Sequence, residues 1–312
     1  MKDCREEWYD KEKKVAVTIV DVTEAAQALA RGHLCGPVAA HFLTEAVASA
    51  ALLGSEMSEK DETVIVQMKC TGPLGGFNVE CTSAGTLRGY TEKKVLDAFD
   101  GMGLPDPKMV IGDAQYQITR SVPGRILSQG ISNSLDGYLA GSLQRKACIY
   151  LEAAVSDEVE ILEARGVMVE ALPDSTWSVA EGTACFEQPK RSAAEESVER
   201  PERSSAEESV ERPEWSSAEE SVERPERSAA EGAGPRRKRA PLSVASRNIL
   251  SQLGLDRAEL KKTTPLSFAC RCSPDRAIAM LNALSDEEKK ELPPTLDITC
   301  HMCGKIFTVK TR

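Results

Sequence analysis

With 312 residues, 41% of them hydrophobic, the chain can bury at least one substantial core and has room for two average domains. A formal charge of −10, from 39 Lys and Arg against 49 Asp and Glu, argues against a general binder of nucleic acid or anionic membrane, since both need clustered positive charge. The charged residues 1–10 lack the apolar stretch of a signal peptide, and the longest apolar run, 46–53, is too short to cross a bilayer, so the expected location is cytoplasmic with no membrane partner.

The elements expected in chain order begin with a strand over 15–20 and a short helix over 23–31. Pro37 then opens a second helix. Its Val38, Phe42, Ala46, Val47, Ala50 and Leu53 share one face, and Gly54 is its stop. Val64, Val66, Met68 and Cys70 alternate on a strand, the Gly-rich turn 71–76 follows, and Phe77, Val79 and Cys81 lead on to 86–90, an antiparallel meander. Further strands are expected at 116–119, 147–155 and 167–172, with a helix over 132–143. Helices mixed with antiparallel strands define an α+β domain over 1–180. It contains no phosphate loop, nucleophile elbow or HExxH, and its His33 and His41 read as structural, so no enzyme is expected.

From Arg191 to Glu226 one dodecapeptide occurs three times, ending each time in SVERPE, and its twelve Glu and five Arg hold most of the net charge. One Val and one Pro per copy cannot build a core, so 181–241 is expected to be a disordered acidic linker. Arg236, Arg237, Lys238 and Arg239 read mainly as transient partners of that acidic tract. A helical linker is expected over 242–264, its packing helix running to Leu260 through Ile249, Leu250, Leu253 and Leu255.

The last unit, 265–312, holds the sharpest signal. Cys270-Arg271-Cys272 is followed 27 residues later by Cys300-His301-Met302-Cys303. Two tight thiol pairs brought together by a hairpin offer four soft ligands for one Zn²⁺. Leu266, Phe268 and Cys270 alternate into the first pair. Ser273-Pro274 starts a helix lined by Ile278, Leu281 and Leu284, Ser285 to Glu288 spells a capping box, and Pro293-Pro294 precedes a strand at 296–299. So small a unit depends on its metal for stability, and oxidising a thiolate removes a ligand. The short separations favour local closure, Cys270 with Cys272 and Cys300 with Cys303, and the tighter ring is strained and readily reduced. Arg271, His301 and Lys305 are candidates for stabilising the thiolates.

The chain resembles the redox-regulated heat-shock chaperones of thirty-three kilodaltons. The resemblance lies in Thr71-Gly72-Pro73-Leu74-Gly75-Gly76, Gly85-Thr86-Leu87-Arg88-Gly89-Tyr90, the helix end Ala50-Ala51-Leu52-Leu53-Gly54, and Phe268-Ala269-Cys270-Arg271-Cys272-Ser273 with Cys300 to Gly304. It implies an ATP-independent holdase, zinc-bound and idle when reduced. Oxidation would then form two disulfides, release zinc and unfold a linker, and the protein would bind unfolding clients, usually as a homodimer. By residue only the four thiols carry over. The family's helical linker is here largely replaced by the repeats.

Of the other thiols, Cys70 and Cys81 fall on distant rungs and read as core. Cys35 precedes Gly36-Pro37, where a helix dipole would depress its pKa. Competing readings are a zinc-ribbon adaptor for RNA or a partner protein, and a thiol-disulfide oxidoreductase using Cys300 and Cys303; the latter lacks the expected βαβ context.

Overall fold

In the computed structural model, residues 2–178 and 242–310 are described. The dodecapeptide repeats, Cys185 and the basic cluster 236–239 lie outside them.

Two sheets close around one helix. The first takes β1 (Cys4–Asp10), β2 (Val15–Asp21), β8 (Lys146–Val155), β9 (Ile161–Ala171) and β10 (Glu259–Pro265) in the order β10-β1-β2-β9-β8, every pair antiparallel. The second takes β3 (Thr63–Cys70), β4 (Gly76–Thr82), β5 (Thr86–Thr91), β6 (Ala114–Val122), β7 (Arg125–Ser132) and β11 (Ser267–Phe268) in the order β11-β5-β4-β3-β6-β7. Here only β11 against β5 is parallel. The expected meander is present, with Val64 opposite Cys81 and Cys70 opposite Ala114, so Cys70 and Cys81 are far apart in register. Its turn needs glycine: a Cβ on Gly76, at φ +138°, would fall 2.1 Å from the Met68 carbonyl oxygen.

Helix α1 (Thr23–His33) leads to α2 (Pro37–Leu53), which starts at Pro37 as expected. One apolar face was expected on α2, but every residue from Val38 to Leu53 except Glu45 is buried. Alanines at 39, 40, 46, 48, 50 and 51 keep the helix slim enough for β8 and β9 to pack on it along with β4 and β5. The helix continues as one apolar stretch, Pro37–Glu56, long enough to cross a membrane, contrary to the reading from uninterrupted apolar residues. Burial of 89% of that window inside the protein accounts for its hydrophobicity.

Residues 4–10 form a strand that the charge-rich sequence concealed. Arg5 donates to the Ala51 carbonyl at 3.1 Å and pairs with Glu7 at 3.2 Å. Glu6 accepts from the Trp8 indole at 3.2 Å and from the Ser246 hydroxyl at 2.7 Å. These partners make the burial of charge on β1 tolerable. Ser246 lies on α5 (Leu242–Gln252), whose Leu250 joins Leu253, Leu255 and Ala258 in a second core with Trp8, Val17 and Val169. The guanidinium of Arg247 sits 4.6 Å from the centre of the Trp8 ring. The helix expected as far as Leu260 therefore stops early: Gly254 turns at φ +66°, and 259–265 becomes an edge strand on β1.

Two smaller corrections have local causes. The helix expected over 132–143 is α4 (Leu135–Gly141), capped by the Ser134 hydroxyl accepting from the Gly137 amide at 2.9 Å, while residues 125–132 pair as β7. A short α3 (Pro107–Ile111) was not foreseen.

After β11 come α6 (Pro274–Asn282), α7 (Asp286–Glu291) and the hairpin of β12 (Thr295–Thr299) with β13 (Ile306–Lys310). Ser273 caps α6, and Ser285 with Glu288 forms the expected capping box. Among the described residues, the buried apolar cluster of this unit is Ala277, Leu281, Phe307 and Val309.

Candidate metal centre

Local backbone chemistry aims the four thiols at one point. Cys270 and Cys272 lie between β11 and the Ser273 cap, so the chain there is extended and then turned by the start of α6. Cys300 and Cys303 flank the β12–β13 turn, in which the Cys303 and Gly304 amides both donate to the Cys300 carbonyl, at 3.3 and 2.8 Å. The Cys300 amide donates to the Lys305 carbonyl at 2.8 Å, closing the knuckle. Gly304 takes φ +73°, which a side chain would resist.

All four Sγ atoms lie within 4.8 Å of one another. Cys270 and Cys300 approach to 3.7 Å, and Cys272 and Cys303 to 3.5 Å. Four sulfurs about 2.3 Å from a central Zn²⁺ form a tetrahedron with edges of about 3.8 Å, so the cluster fits that ion. A disulfide would bring two sulfurs to about 2.05 Å, and the nine cysteines among the described residues are all free.

The thiols are electrostatically unequal. At Cys270 burial pushes the pKa up, but hydrogen bonds from the Cys272 amide, the Arg88 guanidinium and neighbouring thiols outweigh it and bring the value down to about 7. Burial pushes Cys272 and Cys303 up. A bound dication reverses that preference and favours all four thiolates.

The unit is fastened to the outer edge of β5. The Ser267 amide donates to the Gly85 carbonyl at 3.0 Å, the Ala269 amide to Leu87 at 3.1 Å, and the Gly89 amide to the Met302 carbonyl at 3.1 Å. A Cβ on Gly32 of α1 would lie 2.6 Å from the Cys303 carbonyl oxygen, so backbone meets backbone there.

The sequence model described as Hsp33 protein matches residues 7–310. The chain belongs to the Hsp33 family. Relatives named 33 kDa chaperonin include one from Thermus thermophilus, 24% identical over 312 residues, with 94% of this chain and 79% of the relative aligned. Another, from Cyanothece sp., is 26% identical over 309 residues, covering 95% of this chain and 88% of the relative. The crystal structure of the 33 kDa chaperonin (heat shock protein 33 homologue) of Thermotoga maritima has the same fold. It matches with a TM-score of 0.71 at 15% identity, covering 100% of this chain and 96% of its own. This is thus an Hsp33-family chaperone with a four-cysteine cluster positioned to hold a metal.

Within this Hsp33 chain none of the three nearby side chains is seen on a sulfur, although the Lys305 backbone amide does pull the Cys303 thiol down against its burial. Arg271 reaches the Glu80 carboxylate at 2.9 Å, Lys305 lies 5.3 Å from the Phe307 ring centre, and His301 meets the Tyr90 ring edge-on at 5.8 Å. Arg88 of β5 supplies the cation, its guanidinium 3.7 Å from the Cys270 sulfur. Glu80, directly opposite on β4, holds Arg88 through both carboxylate oxygens, at 2.5 and 2.8 Å. The available signal was Glu80 and Arg88 facing each other across the meander; nothing local tied either to a cysteine 182 residues further on.

Cys35 is corrected too. Its thiol is buried and pushed up to about 11, chiefly by desolvation. The start of α2 is taken instead by Asp100, which accepts from the Val38 amide at 3.0 Å. The remaining described cysteines, Cys4, Cys70, Cys81 and Cys148, are also pushed up, burial being the largest cause in each. His33 is buried with Nε2 2.9 Å from the Gly89 carbonyl oxygen, and His41 lies 3.3 Å from Glu45, one turn along α2.

Proposed function

We propose that this chain is a redox-regulated, ATP-independent holdase that binds unfolding proteins under oxidative stress. The observation behind this reading is four thiols clustered within 4.8 Å in a unit whose buried apolar cluster, among the described residues, is four side chains. Cys270, Cys272, Cys300 and Cys303 would hold Zn²⁺ in the reduced protein, the choice a borderline-soft ion makes among all-thiolate sites. The ion supplies structural cross-linking, worth an apparent 10 to 16 kcal/mol, roughly, in small zinc domains.

Oxidation acts on the thiols. Counted in protonated form, each pair gives two electrons and two protons to one hydrogen peroxide, which leaves as two waters, and one S–S bond forms. Short loops favour Cys270 with Cys272 and Cys300 with Cys303. The four residues then no longer hold the ion, and Leu281, Phe307 and Val309 lose the framework that buries them. Apolar surface freed in this way is what unfolded clients recognise.

The proposed organisation is a chaperone core over 1–180, an acidic repeat linker over 181–241, a linker over 242–264 and a redox switch over 265–312, in a cytoplasmic protein that dimerises when active. The test is light scattering from a thermally aggregating enzyme, with reduced zinc-loaded or peroxide-treated protein added. Suppression by the oxidised form alone is expected, and equal scattering with both overturns the proposal.

A further inference from the structure

We infer that the outer edge of β5 is the docking edge for client backbone, and that residues 266–269 occupy it in the resting protein as a built-in substitute. This rests on the redox reading above, since the occupant leaves only if the thiol unit opens.

The contacts that fasten the unit here run largely through the backbone. Gly85 and Leu87 carbonyls accept from Ser267 and Ala269, and the Gly89 amide donates to Met302. Such bonds read extended conformation and no side chain, so any unfolded segment can replace them. The occupying segment also has the pattern of a client. Leu266 is buried in the main core, whereas Ser267 and Phe268, the latter 36% exposed, both reach solvent, so two apolar residues flank a polar one along the run and one of them is open to exchange of partner.

The substitute is short. β11 pairs at only two residues, Ser267 with Thr86 and Phe268 with Leu87, along a six-residue β5 that is otherwise the end of its sheet. A two-residue strand is a weak holder by itself; Leu266 stays anchored by its burial and by its amide on the Asp3 carbonyl at 2.9 Å, so it is Ser267 to Ala269 whose retention depends on the thiol cluster that begins at Cys270. When that cluster opens, β5 becomes an uncovered edge strand, the feature that folded proteins usually protect because it pairs with other chains. A partner is therefore an extended polypeptide segment with aliphatic or aromatic residues at alternate positions.

The test is hydrogen exchange at the Leu87 and Gly89 amides, which lie on the outer side of β5, in the full chain, with reduced, carboxymethylated α-lactalbumin as a permanently unfolded probe. These amides should be protected in the reduced protein, exchange after oxidation, and regain protection when the probe is held. Ser267→Pro, which deletes one donor, should speed exchange there about two- to ten-fold in the reduced protein. Probe held while the Leu87 and Gly89 amides keep exchanging overturns the edge and leaves the holdase reading intact. So does protection that persists unchanged after oxidation. Protection that returns without probe and grows with protein concentration assigns the edge to a second copy and refutes the client assignment. An oxidised chain that never holds the probe refutes the holdase reading itself.

Discussion

Replacing Arg88 with Ala should loosen the thiol unit from the core before any oxidant is present. The Glu80 side chain is 7% exposed and Arg88 15%, and the two meet through both carboxylate oxygens. Removing one partner of a buried pair costs about 3 to 5 kcal/mol, most of it the stranded charge. Here Arg271 remains on Glu80 at 2.9 Å, but its side chain is 57% exposed, so it offsets only part of the loss. A net cost of about 2 to 3 kcal/mol follows. For a chain of this size that lowers the melting temperature by roughly 4 to 12 °C. The assay is thermal unfolding of reduced, zinc-loaded protein, with zinc loss to a chelator measured alongside because Arg88 also contacts the Cys270 sulfur. Adding Glu80→Gln to Arg88→Ala removes the stranded charge and should recover much of the single-variant loss. If Arg88→Ala melts like the parent and releases metal no faster, the ion pair is not what joins the metal centre to the sheet. Strictly additive losses in the double variant would refute the coupling as well.

Gly304→Ala should undock the unit while sparing the core, since the added Cβ would collide with the Gly32 carbonyl oxygen and the residue takes φ +73°. Faster exchange over β12 and β13 with unchanged exchange in α2 is the expected signature. Asp3 should produce an acid-side slope in stability: burial, the largest cause, pushes its carboxyl from the usual 3.8 up to about 6 against the pull of the Glu24 and Ala25 amides. A raised carboxyl contributes stability that is present below about pH 4 and lost as pH rises through 6. Asp3→Asn should therefore flatten the urea-unfolding profile across that window by up to about 3 kcal/mol, and parallel profiles would contradict this.

What the sequence revealed divides by the range of the interaction responsible. The β3–β5 meander, the start of α2 at Pro37 and the caps at Ser273 and Ser285 are written in residues a few positions apart, and each is present. The thiol cluster was legible because ligand spacing is itself a local pattern. β1 was not, because Arg5 and Glu6 read as solvent-facing until Ala51, Trp8 and Ser246 supply their partners. The strand at 259–265 was hidden similarly: its Lys261, Lys262, Thr263 and Thr264 have no apolar period, and pairing with β1 decides their conformation. Cys35 misled because a helix start was visible in Gly36-Pro37, whereas Asp100, which takes that helix start, lies beyond any local window. Arg88 sits in a recognised stretch, yet its contact with Cys270 exists only once β11 has docked on β5.

The account turns most directly on zinc content and thiol connectivity measured on one sample before and after peroxide. It predicts one zinc per reduced chain, lost together with the four clustered thiols, and peptides joined as Cys270–Cys272 and Cys300–Cys303. A metal-free but equally ordered unit, or bonds formed instead across the closest sulfurs as Cys270–Cys300 and Cys272–Cys303, would contradict it.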